Sequence, residues 1–528
     1  MSECLQKQFW YFFEVFSSDS VEFTMNDIRK TWKNSHVSYP SGKPMIPHLL
    51  RCQGFGVVYY SLALGHLGSV VSSTFATLGV ILLLQLLICP ILSAKVGAQT
   101  SEGLPEQQKH RESNIGSQTI APRHKKFKTE LGGHLKVHGS ASWPDDESFY
   151  HNVGTGTYYD AGAEARLKGQ IFIGDSVYLD AHYEAIVYGG DTRKKTSKLK
   201  RLFPGIFNDN TTLTSPVDDK RRFMDLTSTL EENNDSTVYH RLDRLSLTFT
   251  QEQYVARIGR QAVTWGNGLL FNPMDLFNPF SPTEIERDYK LGDDIVYVQY
   301  SQDMFSDLQF LCIPRRNSSN GNLEADKSSL AGKVHFSVNT TELDIMAARH
   351  YEDEVIGIGS SGYLGNAAWR IDTTWTFLKG DNDYLSLIAN IDYSWVLWGK
   401  NLYGFVEFFL NGLGDDDYTQ SFANAAVSQR LARGELFTLG RSYLSGHIRA
   451  ELHPLFNLFL TVINNMEDPS GILQPRATWD IIQDIQMTFG GNLFYGKKGS
   501  EYGGYKLPGT NLINKPSDSL FLWLTYFF

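Results

Sequence analysis

The residues that could do chemistry in this chain fall into three groups. Gly357-Ile358-Gly359-Ser360-Ser361-Gly362 has the GxGxxG spacing that cradles a pyrophosphate, but only where a strand runs through it into a helix. No βαβ pattern flanks it, and a flexible loop is the expectation. His134 and His138 lie four apart and could share a strand face. Two imidazoles without a third ligand read as polar surface rather than as a metal centre. His182, His335 and His447 fall on polar strand faces with serines elsewhere, yet no nucleophile–base arrangement is legible. The sequence assigns no catalytic residue, no metal ligand and no cofactor, and points away from an enzyme.

The third group is a set of charges at alternate positions of otherwise apolar segments. Arg166, Lys168, Arg257, Lys333, Arg370, Arg449 and Arg476 stand with Glu164, Asp180, Glu184, Asp372, Asp392, Glu407, Glu451 and Asp480. Lining a hydrated pore, such charges bias which solutes pass. Paired across strands, they stiffen a wall. Both signs are present, so neither cations nor anions are singled out. The pore-lining candidates are Arg166, Asp180, Glu184, Arg257, Lys333, Arg370, Asp372, Arg449 and Glu451.

A period of two positions these charges. In 177–187, Val177, Leu179, Ala181, Tyr183, Ala185 and Val187 face one way and Asp180, His182 and Glu184 the other, because successive strand side chains alternate. The turn at 174–176 joins this segment to 161–171 as a hairpin. The same alternation recurs in 369–377, 385–395, 444–452 and 485–495. Runs of about ten residues that end in aromatics are the transmembrane β pattern. The last strand completes it: Leu520, Leu522, Leu524, Tyr526 and Phe528 form one apolar face ending at the terminal residue. That arrangement resembles the C-terminal insertion signal of outer-membrane barrels. In a soluble protein the same edge would template aggregation.

Composition agrees. Aromatics are 13% while mean hydropathy is only −0.26, as expected when half of every strand faces water. A net charge of −10 argues against nucleic acid as a partner. No Lys, Arg, Asp or Glu occurs from Cys52 to Ala94, and the apolar run at 78–92 precedes the small residues Val96-Gly97-Ala98. A signal-peptide cleavage before Gln99 is expected, with 1–98 a leader whose start is over-extended; an unusually long leader or an N-terminal anchor are the alternatives. Residues 99–128 read as a flexible periplasmic segment, and 129–528 as the barrel. Of four cysteines only Cys312 lies beyond the leader, so no intramolecular disulfide is possible there.

Connections differ in length. Short ones are expected at 174–176, 250–253, 302–306, 339–341, 379–383, 453–456 and 482–484, and long ones at 190–237, 261–292, 314–326, 412–433 and 495–515. Short turns should be periplasmic and long loops extracellular. About seventeen strand-like runs can be marked. Single-chain barrels have even numbers, so the expectation is an all-β, antiparallel up-and-down transmembrane barrel of 16–18 strands. A missed strand near 412–440 would give the larger number.

The stretch 261–292 is too apolar for a solvated tip. Leu269, Leu270, Phe271, Met274, Leu276, Phe277 and Phe280 need cover. Asn272-Pro273 and Asn278-Pro279 impose turns, and Ser281-Pro282-Thr283-Glu284 has the form of a capping box that should start a short helix. A structured loop folded into the lumen follows. Its constriction candidates are Trp265, Asn267, Phe271, Asp275, Phe277, Glu284 and Arg287. It is at GRQAVTWGNGLLFNPMDLFNPFSP that the sequence resembles a group of proteobacterial outer-membrane barrels, porin-like and alginate-export-like, most clearly over 222–298. The resemblance implies fold and location, with no substrate and no site role to transfer.

The expected function is a porin-like channel in the bacterial outer membrane. It would pass hydrophilic solutes or an exported polymer passively. The expected partners are outer-membrane lipid, lipopolysaccharide, the barrel-assembly machinery and the solute itself. A closed barrel with a structural or surface-interaction role is the alternative, and a lumen blocked by 269–280 would favour it.

Overall fold

Alternating segments whose polar face and apolar face both need cover can satisfy every backbone donor in a membrane only by closing on themselves. In the computed structural model, which describes residues 127–204, 218–283, 289–380 and 382–528, they do so. The first strands are β1 (Phe127–Trp143), β2 (Tyr158–Ile173), β3 (Val177–Gly190), β4 (Thr227–Glu232), β5 (Ser236–Gln251) and β6 (Tyr254–Gln261). Next come β7 (Asp293–Ser301), β8 (Ser306–Ile313), β9 (Ser329–Val338), β10 (Thr341–His350), β11 (Asp353–Leu364) and β12 (Ala367–Phe377). After them run β13 (Tyr384–Leu397), β14 (Lys400–Leu410), β15 (Ser442–His453), β16 (Phe456–Asn465), β17 (Ser470–Ile482) and β18 (Ile485–Tyr495). The short β19 (Tyr505–Lys506) and β20 (Ile513–Asn514) precede the terminal β21 (Asp518–Phe527).

Eighteen of these strands form the wall, each antiparallel to its neighbour. The ring closes where β21 pairs with β1, in the register His134↔Phe527. β4 pairs with β5 over Thr227↔Arg241 and adds to the rim, while β19 and β20 pair only with each other. The terminal strand carries the predicted faces. Leu520, Leu522 and Leu524 are 52%, 53% and 40% exposed on the outside, where lipid covers them, whereas Phe521 and Trp523 are buried toward the lumen.

The long loops cluster at one end. They carry α1 (Asp191–Leu202), α2 (Tyr418–Ala423) and α3 (Ala425–Arg433). Asn424 caps α3 by accepting from the amides of Ala426 and Val427, and Gly434, at φ 69°, ends it. Phe149, Leu199, Tyr418, Val427, Leu439 and Tyr505, drawn from four of these connections, pack into one apolar cluster.

Several expectations are corrected here. The wall begins at Phe127, paired with Ile173, so Phe127 and Lys128 belong to the barrel rather than to the preceding segment. The segment 412–440 holds α2 and α3 instead of a strand. The connection 378–383 lies at the end of the long loops, because tight turns at 351–352 and 365–366 reverse the chain twice after β10. Tyr351 at φ 56° and Gly365 at φ 63° make those turns. The glycines of the GxGxxG stretch lie inside β11, Gly357 and Gly359 paired on both sides and Gly362 with Trp369 of β12, and form no loop. The leader at 1–98, residues 99–126, Glu284, Arg287 and the helix expected after Pro282 lie outside the described residues.

Candidate functional site

Between β6 and β7 the chain turns inward and crosses the lumen. Three kinds of contact hold it there. Two wall carboxylates, both fully buried, grip its backbone. Asp372 of β12 accepts from the amide of Asn267 at 2.5 Å and from its side-chain nitrogen at 2.8 Å. Glu407 of β14 accepts from three successive amides, Leu269 (2.7 Å), Leu270 (3.1 Å) and Phe271 (2.8 Å), and from Asn390 Nδ2 (3.1 Å). Charge-assisted bonds of this kind are about twice as strong as neutral ones.

Apolar contacts are the second kind. Phe271 stacks on Phe409 of β14, centroids 4.4 Å apart, and meets Tyr443 of β15. Trp265 packs edge-on against Phe277 and donates its indole N–H to Gln309 of β8 at 2.7 Å. Met274 is fully buried. It sits beside Met346 because β11 offers no side chains at Gly357 and Gly359. A Cβ on Gly359 would stand 2.7 Å from Asp372 Oδ1 and 3.1 Å from Asn267 Nδ2. The glycines of β11 are thus the space in which the loop docks.

The third kind lies at the loop's return. Asp275 pairs with Lys290 within the loop itself. Burial pushes the Asp275 carboxyl up to about 6, although the Lys290 ammonium opposes this. Burial also lowers Lys290, against the pull of Asp275. Tyr289 donates to Glu164 of β2 at 2.6 Å, and the guanidinium of Arg166 lies 3.4 Å from the centre of its ring. Gln474 of β17 donates to the carbonyl of Thr283 at 3.2 Å. Strands β2, β8, β12, β14, β15 and β17 therefore all hold the loop.

The predicted charges divide into two sets. Arg166 and Glu184 are buried in one network with Arg241 and Asp243, in which Arg241 donates to Glu184 at 2.6 Å and Arg166 to Asp243 at 3.0 Å. Asp372 is bound to the loop. The others remain half-buried or exposed along the wall. Arg257 donates to Thr248 and Tyr178, Arg370 to Asn390 and Asp392, and Lys333 pairs with Asp344 at 3.2 Å. Asp180 accepts from Gln170, Arg449 donates to Asn457, and Glu451 accepts from Asn401. Of the loop candidates, Trp265, Asn267, Phe271, Asp275 and Phe277 all lie in the docked segment. Gln309, Tyr289 and Lys290 were not singled out from sequence, since a lone polar side chain carries no sign of its partner. Among the described residues no group of three or more His, Cys, Asp or Glu could hold a metal ion.

No protein-family model matches the chain, and no curated protein matches its sequence. Its barrel is similar to that of OccK7 (OpdD) of Pseudomonas aeruginosa, at 10% identity and a TM-score of 0.43 over 77% of this chain and 99% of the other. It is similar to OccAB3 of Acinetobacter baumannii, at 9% identity and a TM-score of 0.45 over 76% and 99%. It is also similar to Wzi, an outer-membrane protein involved in group 1 capsule assembly in Escherichia coli and described as a carbohydrate-binding β-barrel, at 9% identity and a TM-score of 0.41 over 74% and 83%. A closed wall of eighteen antiparallel strands, apolar outside and polar within, with turns at one end and long loops at the other, is built for one setting. The chain is a closed, eighteen-stranded transmembrane β-barrel of the outer-membrane type.

Proposed function

We propose that this barrel is a gated channel whose loop at 262–292 closes the upper lumen and, when undocked, lets hydrophilic solutes or an exported polymer pass. The observation that carries the reading is how the loop is held. Its grip on the far wall is made by Asp372 and Glu407 accepting backbone N–H groups. Once the loop lifts, water can take over both the carboxylates and the amides, so the wall can release the loop without unfolding. Toward the periplasmic end, Arg257, Arg370 and Arg449 stay accessible to solvent, which suits a hydrated path. The mixed signs there favour selection by fit over selection by charge.

A second reading, a closed barrel with a surface role, is favoured by one feature. The apolar cluster of the long loops gives the outer end a firm, presentable cap. The two readings differ in whether ions cross. Conductance of the full chain in a planar bilayer, before and after the loop is loosened, separates them.

A further inference from the structure

Two Arg-Arg pairs far apart in sequence meet among the long loops at the outer end of the barrel. Arg221-Arg222 precedes β4, and Arg315-Arg316 follows β8. They run antiparallel: Arg222 bridges Arg315, and the amide of Arg316 donates to the carbonyl of Arg221 at 2.9 Å. Alternation then sends one member of each pair to one side and its neighbour to the other. Arg222 and Arg315 are buried and neutralised, by Asp219 at 2.9 Å and by Asp293 at 2.6 Å. Arg221 and Arg316 stand opposite each other, and no carboxylate among the described residues pairs with either. Arg221 makes one long bond, 3.5 Å, to the carbonyl of Ala432, and Arg316 lies 5.9 Å from the centre of the Phe223 ring. Like charges directly opposed across a strand pair are destabilising. The connection that carries Arg316 is nonetheless fastened: Arg316 bridges Leu323, and Asn317 donates to Glu324 at 3.0 Å.

Both guanidiniums line a cavity of about 570 Å³, shared with the turn at 351–352, residues 378–380 and α3. That size suits a small molecule. Four more cations line it, and each has its own carboxylate: Lys327 with Asp326, Lys379 with Glu352, Arg430 with Asp353 and Arg433 with Glu435. The surplus is therefore Arg221 and Arg316, in a chain whose net charge is −10. Tyr351 adds a donor at the cavity wall. The guanidiniums of Arg433 and Arg315 lie 4.1 and 4.8 Å from its ring centre, and its hydroxyl bonds to no described residue. Ser318, Ser428 and Gln429 give the lining neutral polar groups.

We propose that this pocket binds the phosphomonoester of a phosphorylated sugar, with Arg221, Arg316 and Tyr351 on the phosphate and Ser318, Ser428 and Gln429 on the sugar hydroxyls. A phosphomonoester carries a charge of about −1.5 to −2 at pH 7 and three strong acceptor oxygens. Two forked guanidiniums match it in charge and in bonding. A lone carboxylate would leave one of them uncompensated. The pocket lies among the outer connections, so it serves whether or not solutes cross the lumen. A free sugar phosphate and the phosphorylated sugar of a lipopolysaccharide in the surrounding leaflet present the same group.

The test is isothermal titration calorimetry on the full chain in phosphatidylcholine nanodiscs. Glucose 6-phosphate should bind at one site, about tenfold or more tightly than glucose, inorganic phosphate or succinate. Replacing both arginines, Arg221→Gln with Arg316→Gln, should weaken it about tenfold or more in a barrel whose heat-modifiable gel mobility is unchanged. Lys400→Gln, at the opposite end of the barrel, should leave it unaltered. In nanodiscs that also hold lipopolysaccharide, loss of the glucose 6-phosphate heat would assign the site to the lipid's own phosphorylated sugar, and its persistence to the free solute. No binding by the native chain, equal binding of glucose, inorganic phosphate or succinate, or binding unchanged in the double variant would overturn the proposal.

Discussion

Replacing Glu407 by glutamine tests how the loop is held. The change keeps the side chain's size but removes the charge that three successive amides and Asn390 share. A hydrogen bond to a charged group contributes about 1.5–3 kcal/mol, and one between neutral groups about 0.5–1.5. Three weakened bonds therefore cost about 3 kcal/mol of docking. At about 1.4 kcal/mol per factor of ten, the undocked population should rise about a hundredfold. Phe409 and Tyr443 still contact Phe271, so the loop should remain docked most of the time. Amide hydrogen exchange, followed by mass spectrometry on the full chain in liposomes, reads this directly. Exchange at 269–271 should speed up by about two orders of magnitude, while amides of β16 and β17 stay protected. Unchanged exchange at 269–271 would refute the claim that the carboxylate anchors the loop. Loss of protection throughout the wall would mean that Glu407 serves barrel folding instead.

Three further outcomes are expected. Asn267→Ala removes one of the two bonds to Asp372 and should loosen the loop by about 1–2 kcal/mol; a protease cut within 262–283 that appears at lower enzyme concentration reads it. Gly359→Val places methyl groups where Asp372 and Asn267 meet, so overpacking of about 1–3 kcal/mol should displace the loop and expose Trp265 to an aqueous quencher. In the 411–441 connection, burial alone would raise Glu435, but the charges of His350 and Arg433 overcome it and hold the carboxyl down to about 2. A lowered carboxyl stabilises fully above its ordinary pKa of 4.5 and loses that contribution as pH falls toward 2. The contribution is about 3 kcal/mol, so exchange at 430–435 should quicken between pH 4.5 and 2, and Glu435→Gln should flatten that step.

The period-two pattern made the wall legible because burial on one face and lipid on the other leave no freedom in alternate positions. The last strand is the clearest instance, with Leu520, Leu522 and Leu524 outside and Phe521 and Trp523 inside. The inward loop was legible for a related reason: Phe271, Met274 and Phe277 had no cover at a solvated tip. What held it was not. Nothing local marks Glu407 or Asp372 as an amide acceptor rather than half of a cross-strand ion pair, since the partner amides lie more than a hundred residues away. The GxGxxG stretch was misread because its glycines answer a tertiary demand, room for Met274 and Asn267, that strand propensity does not express. The tight turn at 351–352 was missed because Tyr351, in a left-handed conformation, offers none of the usual turn chemistry.

The most direct test of the gated channel is ion conductance of the full chain in a planar bilayer, beside its Glu407→Gln variant. The account expects rare, brief steps from the native barrel. From the variant it expects steps of the same size with an open time about a hundredfold larger. Silence from both proteins, shown to be folded, would contradict the channel and favour the closed barrel. A native pore that is open continuously and indifferent to the substitution would contradict the gate.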